Sequence, residues 1–368
     1  MATTAVQERL ALPLYFQALR TAIEPPQARK DQAQTIPDDV RNYLHDSTTF
    51  ATIDPHTRLV GSYRRHTAIH GIKDIDVLVC VPYDSDGAEP EAEAVLSALF
   101  AALEGLPEAL EYGGRAQGLR GQRRSINVAF DEEDFQLDVV PALLPNGIGG
   151  SLLVPDKEWQ KWVASDPLGY VKALSTLNAA TGDKAVPLIK LLKHWRSVQM
   201  KYLRPKNYYL EALAYKHLHD GLVTVTGKGD AELFTDLLAS IRDDFAADLD
   251  GEGVPEIPDP MLGHNLAFNW SRRAFETFMA RVDESLGWAR RALATGPDDI
   301  GDAVALWQKV FDAEYFVESR GISMREQADL MTKTGKLFVT GSGLITAARP
   351  AAERAVEVPR HRFYGDRG

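Results

Sequence analysis

Gly61-Ser-Tyr-Arg-Arg-His-Thr-Ala-Ile-His-Gly-Ile-Lys-Asp74-Ile-Asp76-Val-Leu-Val-Cys-Val81 is the stretch on which the fold of this 368-residue chain turns. From Ile75 onward the residues form a continuous, largely β-branched apolar run, which predicts a strand buried on both faces. Asp74 and Asp76 head that strand two residues apart, so their side chains leave on the same face. Two carboxylates on one face repel, and burial raises the pKa of at least one. A bound hard divalent cation such as magnesium removes the conflict, because it prefers carboxylate oxygens. A third carboxylate, Asp138, interrupts the apolar run Gln136-Leu-Asp-Val-Val140, where an unpaired charge is costly. With the two strands side by side, the three carboxylates converge on a site for two ions about 3.5–4 Å apart, suited to in-line phosphoryl displacement. Gly61 lets the backbone approach a triphosphate closely, and the Ser62 hydroxyl and nearby amides can donate to its oxygens.

Outward from this segment, the chain reads as an α+β protein. The first 45 or so residues predict helix, broken at Pro25-Pro26. Further strands are expected over Arg124–Phe130 and Phe135–Val140, with the acidic tetrad Asp131 to Asp134 turning a hairpin between them. Glu89 to Leu106 predicts a helix packed on that sheet. Gly147, Gly149 and Gly150 form a loop without the strand-to-helix context of a phosphate loop. After Pro155 the pattern is helical: Asp166–Leu177, Ala185–Met200, Tyr208–His219, Ala231–Phe245, Ser271–Leu293 and Asp302–Phe316. The expected organisation is a catalytic lobe with N-terminal helices over 1–155, a helical lobe over 156–320, and an extension over 321–368. Its last stretch, Arg349 to Gly368, is expected to be loosely ordered.

Composition narrows the function classes. The net charge of −11 argues against gripping genomic nucleic acid, which needs a broad basic face. Two local basic groups stand out, Arg115, Arg120, Arg123 and Arg124, then Lys190, Lys193, Arg196, Lys201, Arg204 and Lys206, and both flank the acidic site. No apolar stretch is long enough to span a membrane, and the N-terminus lacks a signal-peptide pattern, so a cytoplasmic protein is expected. The single cysteine, Cys80, reads as a core residue of the buried strand. Trp195 and Trp307 read as core. His66 and His70 read as solvated loop residues, since no third ligand is spaced for zinc.

Gly-Ser, eleven intervening residues, Asp-x-Asp and a later strand Asp together resemble the polymerase-beta-type nucleotidyltransferases. More narrowly the chain resembles the CD-NTases, bacterial relatives of cyclic GMP-AMP synthase and oligoadenylate synthase, from about residue 38 to about 316. The resemblance implies a polymerase-beta-like lobe plus a helical lobe of the oligoadenylate-synthase type. It implies Asp74, Asp76 and Asp138 as catalytic metal ligands, and Gly61 and Ser62 as triphosphate contacts. Leu191-Leu-Lys193-His-Trp195 is similar to the family helix whose lysine contacts the triphosphate. Asn207-Tyr208-Tyr-Leu-Glu211 is similar to the helix start, usually Ser-Tyr-x-Leu-Glu, whose tyrosine stacks on a base. Asn207 replaces the usual serine, but can still cap a helix and donate to a phosphate. Asp259-Pro260 with Asn265, and Trp307-Gln-Lys-Val-Phe311, resemble further family elements.

The implied activity is synthesis of a cyclic di- or trinucleotide second messenger in CBASS antiphage defence. Its cofactor is two Mg2+ ions, with Mn2+ as a substitute. The implied partners are ATP, GTP or a pyrimidine triphosphate as substrates, a separate effector that responds to the product, and an accessory regulator or conjugating enzyme acting through the terminal Gly368. Two alternatives stay open on sequence: a nucleotidyltransferase acting on RNA or a protein target, and an inactive nucleotide sensor. The intact acidic triad disfavours the second.

Overall fold

The computed structural model describes residues 11–70, 74–83, 89–106, 116–130, 135–147, 149–295, 299–317, 338–340, 345–346 and 355–357. Two helices lead, α1 (Ala11–Ile23) and α2 (Gln27–His45), separated at Pro25-Pro26 as expected. The sheet lobe follows: β1 (Thr57–Val60), the single turn α3 (Gly61–Arg64), β2 (Asp74–Val81), α4 (Ala92–Leu103), β3 (Ala116–Gly121), β4 (Ile126–Phe130), β5 (Phe135–Leu143), β6 (Leu152–Asp156) and β7 (Lys161–Ser165). The helical lobe comprises α5 (Pro167–Ala180), α6 (Ala185–Gln199), α7 (Asn207–His219), α8 (Asp230–Asp244), α9 (Ala246–Asp250), α10 (Arg272–Ala294) and α11 (Ile300–Phe311). Three short strands, β8 (Phe338–Thr340), β9 (Ile345–Thr346) and β10 (Ala355–Glu357), make a separate small sheet. The last of them falls within the stretch expected to be loosely ordered.

The main sheet is mixed, ordered β1-β2-β5-β4-β3, with β6 and β7 continuing from β5. At its centre β2 and β5 run parallel, and all other pairs are antiparallel. That parallel centre explains why β2 reads as an unbroken apolar run: Ile75, Val77, Leu78, Val79 and Cys80 are all buried. Phe130 opposite Phe135 fits a hairpin between β4 and β5, although the acidic tetrad of the turn lies outside the described residues.

Two differences from the sequence reading matter for the site. The sheet continues past the expected boundary at residue 155, because Leu152–Asp156 and Lys161–Ser165 pair as a hairpin. And α1 packs with the helical lobe: Phe16, Leu19 and Ile23 share one core with Trp195, Phe234, Trp307 and Phe311. Trp195 and Trp307 are fully buried, and the Trp195 indole N–H donates to Ser285 at 2.9 Å. Helix α10 is capped by the Ser271 side chain on the Ala274 amide, close to the expected start. No described helix is long and apolar enough to cross a membrane.

Candidate active site

Register across the sheet builds the acidic wall. Val60 pairs with Asp76, Asp76 with Asp138, and Asp138 with Asn127, so four neighbouring strands bring these residues into one row. Adjacent strands lie about 4.8 Å apart, which places the Asp76 and Asp138 side chains next to each other on one face. Asp74 sits exposed at the strand start, in register with Gln136. Burial and the charge of Asp138 push the Asp76 carboxyl up to about 6, with Arg65 opposing the rise. Burial raises the pKa of Asp138 too, while Asn127, donating to its Oδ1 at 2.8 Å, holds it back.

Gly61 starts the turn directly against this row. Its φ is +70°, and an added Cβ would lie 1.8 Å from Asp76 Oδ2. Only glycine fits there, for both reasons. Ser62 follows, its carbonyl accepting from the Thr67 amide at 2.9 Å. Among the described residues no three His, Cys, Asp or Glu side chains close into a metal cage by themselves. The donor set nonetheless suits a hard divalent cation: three carboxylates share one wall, with desolvation and mutual repulsion opposing their charged forms.

Facing the wall is the helical lobe, and the space between is a cleft of about 1440 Å³ lined by Gly61, Ser62, Asp74, Asp76, Asp138, Lys193, Asn207 and Tyr208. All eight expected site residues therefore line one cleft. That volume exceeds the roughly 300–1,000 Å³ of a pocket for one small molecule.

Lys193 is buried, and its Nζ donates to Thr67 O at 2.7 Å and Glu211 Oε1 at 2.9 Å. An ammonium has three N–H donors, so one remains for the cleft. Glu211 also accepts from Arg65 Nε at 2.9 Å and Thr67 Oγ1 at 2.9 Å. Burial alone would raise the Glu211 pKa, but Arg65 and Lys193 hold it at about 2. This buried cluster ties the loop after Gly61-Ser62 to α6 and α7. Arg65 and Glu211 stood in the quoted motifs without a role; only Glu211 carries a local signal, a carboxylate inside the apolar run Tyr209-Leu-Glu-Ala-Leu213.

The Tyr208 hydroxyl donates to Asp259 Oδ2 at 3.0 Å, and its ring meets Tyr170 edge-on at 5.7 Å. Asp259 is itself held by the Met261 and Leu262 amides, and Asn265 braces the same loop through the Ile257 and Ala267 amides. Asn207 is exposed and accepts from Arg196 Nη1 at 2.9 Å. It occupies the first turn rather than the cap, which falls at Lys206 without a side-chain hydrogen bond.

One expectation is overturned. His66 is exposed, but His70 is half-buried and its Nε2 lies 3.0 Å from His194 Nδ1. His194 Nε2 contacts the Phe311 carbonyl at 3.0 Å, and burial lowers its pKa to about 4. A carbonyl only accepts, so His194 donates from Nε2, and its Nδ1 accepts a hydrogen bond from the His70 Nε2–H. His70 thus ties the chain after Thr67 to α6.

Comparison with known proteins agrees with this geometry. Residues 11–178 match the Second Messenger Oligonucleotide or Dinucleotide Synthetase domain. A cyclic AMP-AMP-AMP synthase of Acinetobacter sp. (strain ATCC 27244 / 9458) is 28% identical over 345 residues, covering 91% of this chain and 94% of that one. A probable cyclic AMP-AMP-GMP nucleotide synthase of Salmonella paratyphi B is 24% identical over 354 residues, covering 82% and 91%. Among solved structures, Escherichia coli MS115-1 CdnC with ATP has the same fold, with a TM-score of 0.63 at 16% identity over 83% of this chain and 98% of that one.

Proposed function

Because residues 11–178 match the second-messenger synthetase domain and the chain is similar to two curated cyclic oligonucleotide synthases along most of its length, we propose that it is a CD-NTase that makes a cyclic trinucleotide containing at least two adenylates, in the cytoplasm, as the signal of a CBASS antiphage system. The carrying observation is the in-register pair Asp76 and Asp138, with the Gly61 backbone against Asp76, facing Lys193 and Tyr208 across one cleft. The adenylates follow the names of the two synthases that the chain resembles. Room for more than one nucleotide follows from the cleft volume.

In the reaction, the 2′- or 3′-hydroxyl of one nucleotide attacks the α-phosphorus of another. A phosphodiester bond forms, the α–β anhydride bond breaks, and pyrophosphate leaves. Asp138 takes the hydroxyl proton. Asp74, Asp76 and Asp138 are the residues that would hold two magnesium ions, which supply charge neutralisation when bound. Ser62 and the remaining Lys193 donor orient the β- and γ-phosphates, Asn207 donates to a phosphate, and the Tyr208 ring stacks on a base. Glu211 keeps Arg65 and Lys193 fixed, so the phosphate-facing donor is positioned before substrate arrives. The product acts on a separate effector, and an accessory regulator or conjugation through Gly368 controls the enzyme. Gly368 lies outside the described residues.

Mass spectrometry of products from nucleoside triphosphate mixtures with magnesium tests this reading. A phosphatase-resistant cyclic trinucleotide with two or three adenylates is expected. Nucleotides attached to RNA or protein, with no free cyclic product, would overturn it.

A further inference from the structure

The arginine group of the catalytic lobe has a placement that the transfer reaction alone leaves unused. Asp156, fully buried at the end of β6, accepts from Arg123 Nε at 2.8 Å and from Arg124 Nε and Nη2 at 3.0 and 2.8 Å. It also accepts from the Trp159 amide at 3.2 Å. One carboxylate thereby fixes two guanidiniums and the β6–β7 turn along the cleft. The Arg123 guanidinium lies 4.7 Å over the Trp159 ring, and Lys161 Nζ lies 5.2 Å from it. Arg123 Nη1 pairs with Glu158 at 2.5 Å, and its Nη2 is buried without a hydrogen-bond partner, so this guanidinium serves to hold the Trp159 ring.

Across the cleft, the helical lobe presents Phe268, whose ring is 6.3 Å from that of Trp159. Trp159 is 49% exposed and Phe268 59% exposed, and both line the cleft. The Phe268 loop is pinned on both sides, by Asn265 on the Ile257 amide and by Asn269 accepting from the Tyr209 hydroxyl. Exposed aromatic faces interleaved with fixed cations are the chemistry that binds single-stranded nucleic acid, with bases on the rings and phosphates on the cations.

We propose that Trp159 and Phe268, with Arg123 and Arg124, form a base-stacking shelf that holds the linear oligonucleotide intermediate in the cleft between successive transfers. The inference rests on the synthase reading: a multi-step synthase must keep its first product while that product is repositioned. Trp159 and Phe268 stack on the bases of the intermediate, Arg123 backs the Trp159 ring, Arg124 contacts the phosphate through Nη1, and release of unfinished linear product is suppressed.

The test has two readouts. In the first, linear 5′-phosphorylated diadenylate is titrated without divalent cation into the wild type, a Trp159→Ala/Phe268→Ala variant and a Trp159→Phe/Phe268→Tyr variant. Stacking contributes about 5- to 150-fold per base, so the double alanine variant should bind diadenylate at least about tenfold more weakly. Its ATP affinity should stay within about threefold, and the conservative variant should bind like wild type. In the second, turnover with labelled ATP and magnesium should release at least about tenfold more linear relative to cyclic product from the alanine variant, at an unchanged rate of first-bond formation. Equal diadenylate binding by all three proteins, or parallel loss of diadenylate and ATP binding, would overturn the shelf. A wild type that makes no cyclic product would sink the synthase reading instead, and diadenylate binding would still decide whether the shelf exists.

Discussion

Gly61→Ala isolates the close approach on which the site is built. At φ +70° a non-glycine residue carries about 1–3 kcal/mol of backbone strain. The new Cβ would also meet Asp76 Oδ2 at 1.8 Å, well inside the 3.0 Å that real Cβ contacts respect, so the carboxylate must retreat by about 1.2 Å. A 1 Å misplacement in an active site lowers rate by about a hundredfold, equivalent to about 2.7 kcal/mol on the barrier. Gly182→Ala is the matched control: its φ is +62°, but no atom lies within 4 Å of its added Cβ. Both variants should lose similar stability in urea denaturation, while only Gly61→Ala loses about a hundredfold or more in pyrophosphate release. Activity of Gly61→Ala within threefold of wild type would refute the reasoning.

Other outcomes follow from the same geometry. Glu211→Ala strands the buried Arg65 and Lys193 charges and should destabilise the protein by about 3–5 kcal/mol in urea denaturation. Burial opposes the Glu211 charge, but Arg65 and Lys193 hold its pKa at about 2 against 4.5 for the free group. The stability it contributes is therefore complete above pH 4.5 and lost as pH falls toward 2; Glu211→Gln should show a shallower pH dependence of unfolding in that window. Asn127→Leu removes the hydrogen bond to Asp138 Oδ1 and should lower turnover about 10- to 100-fold with the unfolding midpoint little changed. Chelation of divalent cations should abolish bond formation, with magnesium or manganese restoring it; activity persisting in chelator would count against the carboxylate wall as an ion site.

The acidic row was legible in the sequence because strand chemistry is local. The apolar run after Asp76 demanded a buried strand, and a lone Asp138 in a second such run demanded a partner. Two features were not legible. The β6–β7 hairpin is short and interrupted by Lys157-Glu-Trp-Gln160, so its alternation was hidden beside the stronger helical periodicity that begins at Pro167. The Arg65–Glu211–Lys193 cluster joins residues 18 to 146 positions apart, a pairing that no local pattern encodes. His70 was misread for the same reason: spacing shows no zinc site, but says nothing of His194, 124 positions away.

The central claim meets its most direct test in one measurement: α-32P-labelled ATP and magnesium are incubated with the wild type and with Asp76→Asn, treated with phosphatase, and resolved by chromatography. The account predicts a phosphatase-resistant nucleotide product from the wild type and at least about a thousandfold less from Asp76→Asn, because that substitution removes a central carboxylate of the wall without adding bulk against Gly61. A product formed equally by both proteins would contradict it.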